Sequence, residues 1–300
     1  MRFPEILDLI EKGSVSSDSF ESLCNKLEDR VFGMKSGLLP SLLIEIGSIP
    51  ESINHDSSAE KLFAKAADII LARSLQELGL QSTVNKRRSD CADVIAKSQF
   101  HEYSLVADAK AFRLSRTAKN QKDFKVKSMS DWRGDHDYAV LVCPYVQYPK
   151  KTSQIYGQAI DHNVCLLSWE HLLFLLKAGV RESTTVNLSS VWSISKQLQA
   201  RVTVSRKNSK DNFHRVGNEL ICDRLSLAYD DLKSQLLECK NATISRAALE
   251  IDFWTRHAVE VNKYTRAQAI AELVSALKVN EKIASITKFA KQLPKDGIIG

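Results

Sequence analysis

The six cysteines of this 300-residue chain, at positions 24, 91, 143, 165, 222 and 239, include no Cys-x-x-Cys pair, and its seven histidines are equally dispersed. Without thiols or imidazoles at ligand spacing no zinc site is expected, and scattered cysteines in a chain of this length read as reduced cytosolic thiols. No apolar run approaches the ~20 residues needed to cross a bilayer, so no membrane partner is expected. The opening stretch MRFPEILDLIEKG carries acidic residues within its apolar portion and lacks a small-residue cleavage site. A signal peptide is therefore not expected, and a cytoplasmic location is. Internal repeats and low-complexity tracts are also missing.

What is present is a concentrated charge. The net charge is only +6, but its distribution says more than its sum. Between Lys110 and Lys127 stand seven positive residues (Lys110, Arg113, Arg116, Lys119, Lys122, Lys125 and Lys127) against the single negative Asp123. That segment alone accounts for +6, which leaves the rest of the chain near neutrality. The basicity is a local device.

Three regions follow from patterning. Residues 1–57 read as a helical layer. Residues 58–180 read as an α/β core. It opens with a capping-box signature at Ser57-Ser58-Ala59-Glu60 and an amphipathic stretch through Leu62, Phe63, Ala66, Ile69 and Ile70 that ends at Gly79. Short β-prone runs then occur at 93–96, 104–111, 138–143 and 164–168, with a helical stretch at 153–161 and an apolar helix from Trp169 stopped at Gly179. The polar, serine-rich stretch 181–210 reads as a boundary. The remainder, within 181–300, reads as mainly helical, one helix being opened by Thr265 with Gln268 three residues on. The expected architecture is a small mixed sheet flanked by helices, with additional N- and C-terminal helical regions.

Asp93 and the run Val106-Ala107-Asp108-Ala109-Lys110 carry the chemistry. Alternate side chains of a strand share a face, so Asp108 and Lys110 project together while Ala109 points away. Asp93, on the preceding strand or turn, can bring a second carboxylate beside Asp108. Two carboxylates with the carbonyl of Ala109 offer the hard oxygen ligands that Mg²⁺ prefers. A metal there lowers the pKa of bound water and stabilises charge on a phosphate, and Lys110 can assist the attacking water and the transition state. The bare acid-x-Lys pattern recurs at Asp123-Phe124-Lys125, Asp231-Leu232-Lys233 and Glu238-Cys239-Lys240, yet only the Asp108 instance lies on an apolar strand with an upstream Asp. The competing reading is an ordinary Asp108–Lys110 salt bridge on a solvated strand face. Glu60 is a candidate accessory acid, although its capping-box position already accounts for a glutamate.

The basic segment has a texture of its own. Charges at nearly every third residue spiral around an α-helix and suit an extended or irregular element that tracks a phosphate backbone. Arg113, Arg116 and Lys125 are phosphate neutralisers. Among them stand base-reading types: Asn120 and Gln121 for adenine, Lys119 and Lys122 for guanine or phosphate, Asp123 for a cytosine amino group, and Thr117 and Ala118 for thymine methyls. The partner so described is double-stranded DNA. A solvated helix face is the bland alternative.

The acid-acid-lysine cluster resembles the PD-(D/E)XK nuclease superfamily. The run LVADAKAFRLSRTAKNQKDFKVKSMSDWR (105–133), with EKLFAKAADIILA near 60, DYAVLVCP near 140, SQIYGQ near 155 and SWEHL at 168–172, resembles the HindIII family of type II restriction endonucleases. That resemblance is dense over 58–175 and implies a homodimeric, Mg²⁺-dependent enzyme. Such an enzyme cuts both strands of the palindrome AAGCTT after the first A, leaving four-base 5′ overhangs and 5′-phosphates. It also implies a methyltransferase protecting the host's own sites. Carried over residue by residue, metal ligands fall on Asp93, Asp108 and the Ala109 carbonyl, the catalytic lysine on Lys110 and the reading loop on 118–123. Two departures stand out. Ala92 occupies the place of the motif's proline, and Lys86-Arg87-Arg88 makes the approach to Asp93 basic where an acidic neighbourhood is expected. A repair nuclease of the same fold and a catalytically inactive DNA-binding relative are the alternatives.

Overall fold

The computed structural model describes residues 2–85, 91–116, 121–149, 151–201 and 208–292. In chain order the elements begin with α1 (Phe3–Ser14), α2 (Phe20–Phe32), α3 (Leu39–Glu45) and the long α4 (Ser58–Glu77). An antiparallel run follows, β1 (Gln81–Val84), β2 (Val94–Lys97) and β3 (Ser104–Ala109). Short helices α5 (Gln121–Phe124) and α6 (Val126–Trp132) lead to β4 (Tyr138–Val142), and α7 (Gln154–Asp161) leads to β5 (Val164–Leu167). Helices α8 (Trp169–Lys177), α9 (Ser189–Trp192), α10 (Ile194–Gln199), α11 (Lys210–Leu225), α12 (Tyr229–Val261), α13 (Arg266–Ala276) and α14 (Val279–Gln292) complete the chain.

The sheet order is β1-β2-β3-β4-β5, with β3, β4 and β5 parallel. It is a mixed five-stranded sheet flanked by helices, as the patterning predicts. Consecutive residues Leu105–Asp108 of β3 are all buried, so both faces of the central strand are covered. Strand β1, by contrast, alternates exposed and buried, as an edge strand with one wet face does. Helix α4 packs along β1, β2 and β3 and against α1 and α2, while α6 lies on β3, β4 and β5. The α4 side chains from Ala66 to Ala72 are all buried, too continuous for a surface helix and in keeping with packing on several sides. Fully buried Trp169, Trp192, Tyr148, Tyr156, Phe63 and Phe124 supply the bulk of the core.

Several local expectations are met. Ser57 Oγ accepts from Glu60 N at 3.1 Å and opens α4, Gly179 ends the α8 region at φ +68°, and Thr265 forms a capping box with Gln268 at α13. Others need correcting. Strand β1 was not anticipated, because Gln-Ser-Thr-Val is short and polar, and its pairing with β2 comes from tertiary context. Gln121–Phe124 is one helical turn rather than an extended segment, anchored by the fully buried Phe124. The polar stretch from 181 buries Val191, Trp192, Ile194 and Leu198. Its Glu182 is itself buried, accepting from Ser98 Oγ (2.6 Å), Tyr103 Oη (2.7 Å) and Leu188 N (2.7 Å).

The chain divides into two compact units, Met1–Ala248 and Leu249–Gly300. The first holds the sheet and its helices. In the second, α13 packs on α14 and buries none of its own residues. Leu249, Ile251, Trp254, Ile270, Leu273 and Leu277 of this unit are exposed.

Candidate active site

The antiparallel register pairs Val94 with Ala107, which sets Asp93, one residue before β2, beside Asp108 on β3. The approach to Asp93 is held from β1. Asn85 N donates to the Asp93 carbonyl at 2.7 Å, and Asn85 Nδ2 donates to the Ala92 carbonyl at 3.1 Å. Ala92 is buried, so a small apolar residue fills the place of the motif's proline. Lys110 N donates to the Val142 carbonyl at 2.7 Å. Backbone groups alternate direction along a strand, so the polar groups of Ala109 face the other edge, toward the start of β2 that carries Asp93.

Sequence reasoning missed a third carboxylate. Asp68 of α4 lies with Asp93 and Asp108 so that one oxygen of each is within 4.8 Å of the others. The signal was there to find: a lone Asp inside the run Ala66-Ala67-Asp68-Ile69-Ile70-Leu71, where an unpaired charge rarely sits in a core. Three converging carboxylates are the hard oxygen set that suits a divalent cation, whose octahedral shell is of comparable span. The residues present fit such an ion.

Two ammonium groups enter the same space. Lys110 Nζ donates to Asp108 Oδ2, both side chains being largely buried. Lys65 Nζ, one turn before Asp68 on α4, lies 3.2 Å from Asp93 Oδ1 and 3.9 Å from Asp68 Oδ2. Burial, reinforced by repulsion from Asp93 and Asp108, pushes the Asp68 carboxyl well above the usual carboxylate range. Burial also raises Asp108, against the pull of Lys110. Burial alone would lower Lys110, but the adjoining Asp108 charge outweighs it and the ammonium is held above its ordinary value. The site is therefore short of positive charge and electrostatically strained toward accepting it.

Glu60 stands in a different group, with His55 and Asp56. Its carboxylate accepts from His55 Nδ1 (2.9 Å), Asp56 N (2.7 Å) and Arg113 Nη2 (2.9 Å). Burial raises its carboxyl, but the His55, Asp56 and Arg113 contacts together outweigh that and hold it below the usual range. What Glu60 does here is fix Arg113, whose Nη1 also donates to the Pro50 carbonyl at 2.9 Å. The segment beyond β3 is strapped in the same way, with Phe112 N donating to Gly47 O (3.1 Å) and Ser115 N and Oγ donating to Glu51 (3.1 and 3.0 Å). The start of the basic segment is thus built onto residues 47–51.

Further along, Arg116 Nη2 pairs with Asp123 Oδ1 at 2.5 Å and its guanidinium lies over Phe112. Lys122 and Lys125 line an open cleft of about 350 Å³ with Gln121, Lys127, Ser128 and Gln158. Thr117, Ala118, Lys119 and Asn120 lie outside the described residues, as do Lys86, Arg87 and Arg88.

A mixed sheet whose β2–β3 ladder sets two aspartates beside a lysine just past the end of β3, joined by an acid from the flanking helix, has the layout of a restriction-endonuclease-like nuclease. Comparison with known proteins narrows the class. The profile of the HindIII restriction endonuclease family matches residues 6–290. The type II restriction enzyme HindIII of Haemophilus influenzae is 39% identical over 287 residues, covering 96% of this chain and 94% of that protein. The chain belongs to the HindIII restriction endonuclease family, and it is a HindIII-like type II restriction enzyme, a site-specific deoxyribonuclease.

Proposed function

We propose that this enzyme hydrolyses both strands of double-stranded DNA at the palindrome AAGCTT. It cuts after the first A to leave 5′-phosphates and four-base 5′ overhangs, and it works with Mg²⁺ as a homodimer. The observation that carries the reading is the convergence of Asp68, Asp93 and Asp108 beside Lys110, at the root of a segment bearing seven cations and one anion.

In this reading Asp93, Asp108 and the Ala109 carbonyl hold the metal, with Asp68 as an added oxygen donor. When bound, Mg²⁺ lowers the pKa of water and offsets charge on the scissile phosphate. The chain's own groups do the rest. Lys110, oriented by Asp108, holds the attacking water in place as an ammonium and donates a hydrogen bond to the phosphate oxygen on which negative charge builds. Trp169 Nε1 donates to the Lys110 carbonyl at 3.2 Å and fixes the backbone under that ammonium. Arg113, Arg116, Lys122 and Lys125 meet the phosphate backbone, while residues 117–123 read base edges. A palindrome matches a two-fold protein, and two strands need two active sites. A cell that holds such an activity needs a methyltransferase to protect its own AAGCTT sites.

The test is digestion of a plasmid containing AAGCTT sites with purified protein and Mg²⁺, followed by sequencing of the ends. Discrete fragments with 5′-AGCT overhangs are expected, and nicking without site preference points instead to a repair nuclease of this fold. Asp108→Asn is expected to lose cleavage while DNA binding in Ca²⁺ persists. Cleavage at the normal rate in that variant overturns the site assignment.

A further inference from the structure

Lys65 has no part in the reading just given, yet it reaches into the middle of the carboxylate cluster. Its Nζ touches Asp93 Oδ1 at 3.2 Å and approaches Asp68 Oδ2 at 3.9 Å. These two residues are also two of the three whose oxygens converge within 4.8 Å. An ammonium seated on Asp93 repels a divalent cation at the cluster and takes up lone pairs and volume that the cation would use. We propose that Lys65 competes with the divalent cation for Asp93 and Asp68, and so sets the cation concentration at which the active site fills. The proposal rests on the reading of the Asp68–Asp93–Asp108 cluster as the metal site.

Three further features support competition rather than a fixed structural ion pair. First, the Lys65 side chain is one-fifth exposed and Asp93 more than two-fifths, so the contact is open to water and exchangeable. Second, Lys65 borders a cavity of about 500 Å³ between α2 and α4, bounded also by Glu21, Cys24, Asn25, Glu28 and Lys61. A displaced ammonium has room to withdraw there without repacking the core. Third, the α2 wall of that cavity offers the carboxylate of Glu28 as an alternative counter-charge. The lysine therefore has a second place to go, which Lys110, boxed in with Asp108, does not share.

The consequence is an ion threshold. With Lys65 in place, cation binding includes the loss of the Lys65–Asp93 contact. Without it, the three acids face the ion with only Lys110 to offset them. Removing Lys65 should thus tighten cation binding, the opposite of what loss of an ordinary supporting residue does.

The experiment measures Mn²⁺ binding to the full chain without DNA, counting free Mn²⁺ by electron paramagnetic resonance. Lys65→Met is expected to lower the Mn²⁺ dissociation constant at least tenfold. Lys61→Met, which removes the same charge one turn earlier on the exposed part of α4, is expected to change it less than threefold. Lys65→Gln serves as the second variant if the methionine chain does not fold. Binding that is lost in Asp108→Asn but unchanged or weaker in the Lys65 variants overturns the proposal alone, as does an equal gain in Lys61→Met. Mn²⁺ binding that survives Asp108→Asn intact overturns the metal-site reading, and the proposal with it.

Discussion

At the residue scale, Asp68 is the most informative side chain in the molecule. It is buried in an otherwise apolar stretch of α4, with its carboxyl driven upward by burial and by two neighbouring acids. Such a placement costs stability at neutral pH, because folding must hold a desolvated carboxyl beside two others. Asp68→Asn removes the repulsion and keeps the shape. The expected outcome is an unchanged or higher midpoint in urea unfolding at pH 8, with cleavage reduced on the order of a hundredfold or more if Asp68 touches the ion, as one catalytic electrostatic contact is worth. A variant that cuts at the normal rate excludes Asp68 from the chemistry. The same residue shows the limit of sequence reading. Asp93, Asp108 and Lys110 were legible because strand alternation and a one-hairpin separation bring them together by local geometry. Asp68 and Lys65 reach the site from a helix, so only the packing of α4 on β1, β2 and β3 reveals them.

At the element scale, α8 joins the end of β3 to α11 through its opening turn. Ser168 caps it by accepting from His171 N at 3.2 Å, and His171 Nδ1 in return accepts from Ser168 N at 3.0 Å. The other ring nitrogen, Nε2, donates to Asn218 Oδ1 of α11 at 2.8 Å. This arrangement requires neutral imidazole, because a second ring proton would leave Ser168 N facing a donor. Burial, partly offset by Asn218, accordingly pulls His171 down to about 4. A histidine depressed from about 6.5 contributes stability that is full above that pH and drains as pH falls toward 4, by about 3 kcal/mol in all. Thermal unfolding should therefore lose ground steadily between pH 6.5 and 4.5, and less steeply in His171→Asn. Parallel pH profiles for the two proteins would remove His171 from the account. Elements of this kind were partly legible: SWEHL announced the helix, but not the Asn218 partner 47 residues on. The serine-rich stretch beyond α8 was harder still. Its Val191, Trp192, Ile194 and Leu198 are core residues spaced among polar ones, too few for a clean period.

At the scale of the whole molecule, the proposed cut of both strands calls for two copies, since each chain brings one carboxylate cluster of this composition among its described residues. The second unit, Leu249–Gly300, has many large apolar side chains in solvent and no buried residue on α13 among its described residues. Apolar surface of that extent is uncommon on a free-standing monomer. Sedimentation equilibrium is expected to give twice the chain mass both with and without an AAGCTT duplex. A single-chain mass under both conditions contradicts the homodimer. The helices of this unit were legible from their caps, as at Thr265, whereas the exposure of their apolar faces depends on what they pack against.

The hydrogen bond from the Trp169 indole to the Lys110 carbonyl gives the enzyme a built-in optical reporter. Trp169 is almost wholly shielded from water and ends one hydrogen bond away from the backbone of Lys110. In a chain whose other three tryptophans are replaced by phenylalanine, its emission is expected to be blue-shifted and to shift when that carbonyl is repolarised, which would make occupancy of the site readable without a dye and without a substrate.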